Sequence, residues 1–389
     1  MKRVVPLFAI SALLHSVLGW WLSADLAQVN VFLGASWLVF LIFSALVLPF
    51  GLMGSRAVSQ SAALALTWLG LLLMGAFSSL FVLALLREGA LLSLMVLNWV
   101  WPNSVPEAAF RHDSALAVPV LGFVVTLAGF WNARRTAAVV RVDVPIVNLP
   151  QALHGFTVAQ ITDIHVGPTI NKHYLQRIVS RVNGLKADLI AITGDLVDGS
   201  VHALHDHVLP LRDLTSTHGT FFVTGNHEYY SGADSWITAL RGLGIRVLMN
   251  EHVLIHHGTD SQDTEHAMMV VAGVTDYGAQ HFDDRHRSDP QAALMDAPDH
   301  ALFKLLLAHQ PRSAPAAAQA GFDLQLSGHT HGGQFWPWNH FVRFQQPFTA
   351  GLHKWEAMWV YTSRGTGYWG PPKRFGAPSE ITHLRLVRA

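Results

Sequence analysis

The 389-residue chain contains no cysteine. That excludes disulfides, iron–sulfur clusters, thiolate zinc sites and cysteine nucleophiles. It is also poor in charge: Asp, Glu, Lys and Arg make up 13% of the residues, against roughly 25% in an average soluble domain. Neither sign is in surplus, because 26 basic and 26 acidic residues give a formal net charge of zero. A general nucleic-acid binder needs a strongly basic balance, so no nucleic-acid partner is expected. With 51% hydrophobic residues, the chain is too apolar to be mainly disordered.

The shortage of charge is local. Residues 1–133 hold nine charged side chains (Lys2, Arg3, Asp25, Arg56, Arg87, Glu88, Glu107, Arg111 and Asp113) and only His15 and His112 of the 23 histidines. This composition break separates a lipid-soluble part from a water-soluble part. Four uncharged apolar runs of 19 to 25 residues fill the first part: Val4–Leu22, Val31–Met53, Ala62–Leu86 and Ala115–Ala133. A helix needs roughly 20 residues to cross the hydrocarbon core, so residues 1–133 read as a transmembrane bundle of about four helices. Gly89–Trp101 has 13 residues and reads as an interfacial or re-entrant piece. The first run is long for the apolar part of a signal peptide and is read as a retained helix rather than a cleaved one. Lys2, Arg3, Arg56, Arg134, Arg135 and Arg141 favour a cytoplasmic N-terminus and a cytoplasmic C-terminal part. Arg87 and Arg111 weaken the contrast, and a fifth span would reverse it.

Residues 134–150, bracketed by Pro145 and Pro150, read as a linker, and residues 151–389 as the soluble domain. There, five short β-rich runs each lead into a polar cluster. Thr157–Thr162 precedes Asp163-Ile164-His165, and Asp188–Thr193 precedes Gly194-Asp195. Thr220–Thr224 precedes Gly225-Asn226-His227-Glu228, Leu302–Ala308 precedes His309, and Leu324–Ser327 precedes Gly328-His329-Thr330-His331. With a helix expected over His173–Leu185, the alternation suggests an α/β layered domain whose strand ends converge on one edge. Imidazole, carboxylate and amide oxygen donors suit Mn, Fe, Zn or Mg better than soft metals. Seven such donors exceed what one ion needs and fit two ions sharing a bridging carboxylate such as Asp195.

In order and spacing these clusters resemble the calcineurin-like metallophosphoesterases. Gly332-Gly333-Gln334 and the tail Ser363-Arg364-Gly365 … Arg374-Phe375 … Pro378-Ser379-Glu380-Ile381 look like the bacterial membrane-anchored branch. The resemblance spans Val147 to Leu386 and implies a four-layer α/β/β/α sandwich with a dinuclear centre. It implies Asp163, His165 and His331 on one ion, Asn226, His309 and His329 on the other, and Asp195 between them. His227 would lie near the leaving group rather than on a metal. Purple acid phosphatases place Tyr three residues after the bridging Asp. Here Asp198 occupies that position, so no tyrosinate–iron charge-transfer colour is expected; Mn is the first expectation, then Fe, Zn or Mg.

The chemistry implied is metal-assisted hydrolysis of a phosphodiester or pyrophosphate by water, with His227 as general acid or charge stabiliser. Asp198 and Glu228 are candidate orienting groups. Arg364, Lys373 and Arg374 are read either as phosphate contacts or as ordinary surface groups, and the His202–His207 cluster as a solvated face. Phe335, Trp336, Trp338, Phe341, Phe344, Phe348 and Trp355 follow the last ligands. They read as a core-packing loop or as an aromatic lip facing the bilayer. The second reading points to a lipid-linked substrate. Related membrane enzymes cleave the pyrophosphate of UDP-diacylglucosamine, an analogy only. A phosphoprotein phosphatase and a sensor with an inactive site are the competing functions.

Overall fold

The computed structural model describes residues 4–53, 59–102, 105–258, 267–298 and 301–389; Lys2, Arg3 and Arg56 lie outside them. The chain divides into two units. One is Met1–Asn132 with Gly370–Phe375, and the other is Ala133–Trp369 with Gly376–Ala389.

The first unit is helical: α1 (Val4–Val29), α2 (Val31–Val47), the short α3 (Phe50–Met53), α4 (Gln60–Val100) and α5 (Glu107–Arg134). Among the described residues, four stretches are long and apolar enough to cross a membrane: Val5–Val29, Val31–Met53, Ser61–Val100 and Glu107–Arg134. Pro49 separates α2 from α3, since it lacks an N–H for the helix ladder. The expected spans Val4–Leu22, Ala62–Leu86 and Ala115–Ala133 are inner portions of longer helices.

Gly89–Trp101 is not a separate interfacial piece; Gly89–Val100 simply continues α4. No proline interrupts the helix before Pro102, and Leu-rich turns carry it through Gly89. At about 1.5 Å per residue, the 41 residues of α4 extend well beyond a ~30 Å hydrocarbon core.

The longer helices also take in charges that lay outside the apolar runs. Arg87 is buried and pairs with Asp25, and it bonds Glu88 at 2.7 Å. Arg111 lies 3.5 Å from Asp25 and 3.1 Å from Glu107. Such pairing removes most of the penalty of charge inside an apolar bundle. Gly370–Phe375 belongs to this unit. Lys373 Nζ donates to the Gly75 carbonyl at 2.7 Å and to the Ser79 hydroxyl, and the Arg374 amide donates to the Gly129 carbonyl at 2.8 Å. Lys373 and Arg374 are therefore buried, not surface groups.

The second unit contains twelve strands among its described residues. The first sheet comprises β1 (Ala138–Ile146), β2 (Thr157–Ile161), β3 (Leu189–Ile192), β4 (Thr220–Phe222), β5 (Arg246–Val247) and β12 (Glu380–Arg388). The second comprises β6 (Glu251–His257), β7 (Ala267–Gly273), β8 (Phe303–Leu307), β9 (Leu324–Ser327), β10 (Gly351–Trp355) and β11 (Met358–Thr362). Their orders are β1-β12-β2-β3-β4-β5 and β10-β11-β9-β8-β7-β6.

Period-two alternation builds the layers. Leu189 and Ala191 face the core between the sheets with Leu305 and Leu307. Ile190 and Ile192 face outward onto Tyr174, Leu175 and Ile178 of α6 (Lys172–Asn183) and onto buried residues of α7 (Val201–Val208) and α9 (Ala233–Gly242). The six-residue α8 (Asn226–Ser231) precedes α9. Behind the second sheet, Val270, Ala272 and Leu306 pack on α10 (Pro290–Ala293) and α11 (Ala314–Ala320). The result is the four-layer α/β/β/α arrangement.

Residues 134–150 are not a bare linker. They contain β1, which runs parallel to β12 from Ala138↔Glu380 to Ile146↔Arg388. Val144 and Ile146 are buried in the inter-sheet core. Pro145 is tolerated because β1 is an edge strand, where a missing N–H breaks no ladder.

Candidate metal centre

β2, β3 and β4 are parallel neighbours, as are β8 and β9. Their C-terminal ends therefore deliver five polar loops to one place. Two cross-sheet bonds fix the approach: Gln160 Nε2 donates to the Ser327 carbonyl at 3.0 Å, and His309 Nδ1 lies 2.7 Å from the Thr193 carbonyl.

The backbone is strained here. Asp163, His165, Asp195, His329 and His331 have positive φ of 52°, 56°, 51°, 68° and 52°. Each such non-glycine residue costs roughly 1–3 kcal/mol and persists only where its surroundings enforce it. The clustering of strain on five of the seven expected ligands is itself evidence of a functional centre. Two glycines make room for the carboxylates. A Cβ on Gly225 would sit 2.2 Å from Asp195 Oδ1, and one on Gly328 2.1 Å from Asp163 Oδ2.

Three side-chain clusters result: Asp163, His165 and His331; Asp195, His309 and His329; and His165, Asp198 and His227. In the first, His165 Nε2 lies 3.0 Å from His331 Nε2, which is 3.4 Å from Asp163 Oδ1. In the second, His309 Nε2 lies 3.1 Å from Asp195 Oδ2 and 3.2 Å from His329 Nδ1. Asp195 Oδ2 is also 4.0 Å from His165 Nε2, so this carboxylate stands between the two groups. Asn226 Oδ1 is buried without a hydrogen-bond partner, a costly state for an amide that a cation would relieve. Converging imidazole nitrogens, two buried carboxylates and an orphaned amide oxygen form a donor set that fits divalent metal ions.

Neighbouring groups set the ring orientations. His309 Nδ1–H donates to Thr193, leaving Nε2 as the donor atom towards Asp195. Asp198 Oδ1 accepts from His165 Nδ1 at 3.0 Å and from His227 Nδ1 at 2.6 Å. Buried Glu228 accepts from the amides of Asp195, Leu196, Val197 and Gly225 at 3.0, 2.8, 3.3 and 2.7 Å. It thereby holds the Asp195 loop against the Asn226 loop.

The electrostatics follow from burial and proximity. Burial pushes the Asp163 carboxyl up, and burial next to Asp195 raises Glu228 to about 7. Burial opposes charge on His165, but Asp198 outweighs it and raises the ring to about 9. His309 is likewise raised against burial by Asp195, while Asp195 is held well below the usual carboxylate range by His309 despite its own burial. Burial, then the charge of His309, lowers His329 to about 3.

The family model for calcineurin-like phosphoesterases matches residues 156–333. A Helicobacter pylori (strain ATCC 700392 / 26695) uncharacterized metallophosphoesterase is 37% identical over 298 residues, covering 73% of this chain and 75% of that protein. The chain belongs to the calcineurin-like metallophosphoesterases. Two further relatives carry the name transmembrane protein with metallophosphoesterase domain. The Bos taurus protein is 41% identical and the Danio rerio protein 36%, covering 71% and 74% of this chain. The chain spans 62% and 65% of their lengths. The family is one of phosphoesterases that bind divalent metals, and the relatives include both bacterial and animal proteins.

Six of the seven expected ligands lie in two of the donor clusters, Asn226 stands in the chain between Gly225 and His227, whose amide donates to Asp195 Oδ1 at 2.9 Å, and His227 adjoins through Asp198. Arg364 does not offer a free cation, since its Nε bonds Glu380 Oε2 at 2.6 Å. Four aromatic side chains of the 335–355 stretch are exposed: Trp336, Trp338, Phe341 and Phe344. Phe335 is buried, and Phe348 and Trp355 pack on the outer core of the second sheet. Sequence reasoning missed Tyr230 and Trp369, whose rings stand 5.3 and 5.8 Å edge-on to His227, and Phe282, which is 5.5 Å from Tyr230. No motif marks them, because α8 and two separate loops bring them together.

Proposed function

We propose that this protein is a membrane-anchored phosphoesterase with two divalent ions, Mn first, that hydrolyses a phosphodiester or pyrophosphate. Asp163, His165 and His331 would hold one ion, Asn226, His309 and His329 the other, and Asp195 would be shared. The observation that carries this reading is Asp195 Oδ2, within 3.1 Å of one cluster and 4.0 Å of the other. Two ions held there would supply charge neutralisation for the phosphoryl group and a water acidic enough to attack.

The chain's own residues do the rest. Asp198 accepts from His227 Nδ1, which leaves Nε2 to deliver a proton to the departing oxygen. Tyr230, Trp369 and Phe282 are more than 40% exposed beside His227 and offer an apolar surface to the leaving group. Together with the exposed Trp336, Trp338, Phe341 and Phe344, they favour a lipid-linked substrate over a phosphoprotein. The four long apolar helices support membrane anchoring, and Arg134, Arg135 and Arg141 support a catalytic unit on the cytoplasmic side of a bacterial inner membrane.

The test is hydrolysis by purified, metal-stripped protein refilled with Mn²⁺. Substrates would be bis-p-nitrophenyl phosphate and a panel of lipid pyrophosphates in detergent, with Asp195→Asn as control. Activity restored by metal and absent from the variant is expected. Equal activity in the variant, or preference for a phosphopeptide, would overturn the reading.

A further inference from the structure

α6 is amphipathic. Tyr174, Leu175, Ile178, Val179 and Val182 are buried, while His173, Gln176, Arg177, Ser180 and Arg181 are exposed at steps of three and four. With Arg135–Ala138 this exposed stripe lines an open groove of about 890 Å³, and no acidic side chain takes part in the lining. Three guanidinium groups therefore face one concavity without a local counter-charge. Arg177 is partly committed, donating to the Arg134 carbonyl at 3.2 Å and lying over the Tyr174 ring at 5.2 Å. Arg135 and Arg181 have no ion-pair partner among the described residues.

Position supplies the second argument. Arg134 is the last residue of α5, a membrane-crossing candidate. The groove wall Arg135–Ala138 thus lies within four residues of its end, about 14 Å of chain at most. Each polar headgroup layer is about 5–7 Å thick, so chain connectivity alone keeps this wall near lipid phosphates. We infer that the groove between Arg135–Ala138 and the Arg177/Arg181 face of α6 binds the phosphate of an anionic phospholipid headgroup. Guanidinium forks match phosphate oxygens, and each cationic side chain near an anionic surface contributes about a fivefold gain in binding. The site is separate from the metal centre, and its test does not depend on hydrolysis.

The full-length protein would be placed in nanodiscs of phosphatidylcholine alone or with 30% phosphatidylglycerol. Hydrogen exchange would be followed over Arg135–Ala138 and α6. Phosphatidylglycerol should slow exchange there and nowhere near His309. Dioctanoyl phosphatidylglycerol should bind the protein in detergent at least about tenfold tighter than dioctanoyl phosphatidylcholine, with an affinity that falls as salt rises. The double variant Arg135→Gln/Arg181→Gln, at exposed side chains with no ion pair or side-chain hydrogen bond among the described residues, should keep its Tm and lose about 25-fold in affinity. Equal binding of the two lipids, or unchanged affinity in the double variant, would overturn the proposal. So would inorganic phosphate binding the groove as tightly as the lipid, which would make it a soluble-anion site.

Discussion

Asp198 offers the sharpest test of how the centre works. One oxygen, Oδ1, accepts from both His165 Nδ1 and His227 Nδ1, at 3.0 and 2.6 Å. Asp198→Ala removes both bonds at once. A hydrogen bond to a charged group is worth about 1.5–3 kcal/mol, and about 1.4 kcal/mol is a factor of ten. Loss of the bond to His165 should therefore weaken metal binding about 10–100-fold, the usual effect of removing a group that orients a ligand.

Loss of the bond to His227 should cost about 10–100-fold in turnover, but only where the leaving group needs a proton. His227→Ala should cost about 10²–10⁴-fold with metal content unchanged. The assay compares p-nitrophenyl and alkyl phosphodiesters at saturating Mn²⁺, with metal content by elemental analysis. The alkyl ester should suffer most in both variants. In the double variant, the turnover loss should barely exceed that of His227→Ala alone. Equal losses for both leaving groups, or fully additive losses on the alkyl ester, would refute the argument that Asp198 acts through His227.

Further consequences can be checked in the same preparation. Gly225→Ala and Gly328→Ala would drive a methyl group to 2.2 and 2.1 Å from the Asp195 and Asp163 carboxylates. Overpacking of this kind costs about 1–3 kcal/mol, so both variants should fold with a lowered Tm yet lose bound metal. In the metal-free protein, His165 at about 9 and the raised His309 hold protons at pH 7.5. Metal loading should therefore release about two protons, and apparent affinity should rise from pH 6 to 9. Calorimetry in two buffers of different ionisation enthalpy would show it. Replacing Trp336, Trp338, Phe341 and Phe344 with Ser should reduce turnover of a lipid substrate at least tenfold while sparing a small diester. Arg87→Met removes the nearest partner of buried Asp25 and leaves only Arg111 at 3.5 Å, so it should lower the stability of the helical unit by less than the about 3–5 kcal/mol of a wholly unpaired buried charge, visible as a lower Tm in detergent.

How much was legible beforehand depended on whether the signal was local. The ligand-bearing loops could be read because each follows a short, fully buried parallel strand, whose continuous apolar run ends abruptly in polar residues. The buried β7 and β11 escaped notice because no donor cluster follows them, and β5 because it has two residues, whereas β1, β6, β10 and β12 did so because they are half-buried or lie towards a sheet edge. Their sequences mix charge with Val and Leu, as in Val140-Arg141-Val142-Asp143-Val144. Composition found the membrane-crossing segments but not their ends. A helix stops at a cap or a proline, not where hydropathy falls, and so α4 ran on to Val100.

The break between an apolar helical part and a histidine-rich α/β part, the donor types at the strand ends and the family could all be read from the residues in order. Those are properties of composition, order and spacing. Packing settled that Asp198 serves two histidines and that Glu228 clamps two loops. It also decided that Lys373 is buried among the helices, that aromatic rings from distant loops border His227, and that Arg135, Arg177 and Arg181 line one groove. Each of these depends on side chains far apart in the chain meeting at hydrogen-bonding or van der Waals distance. Chain spacing does not encode such meetings; the packing of the layers does.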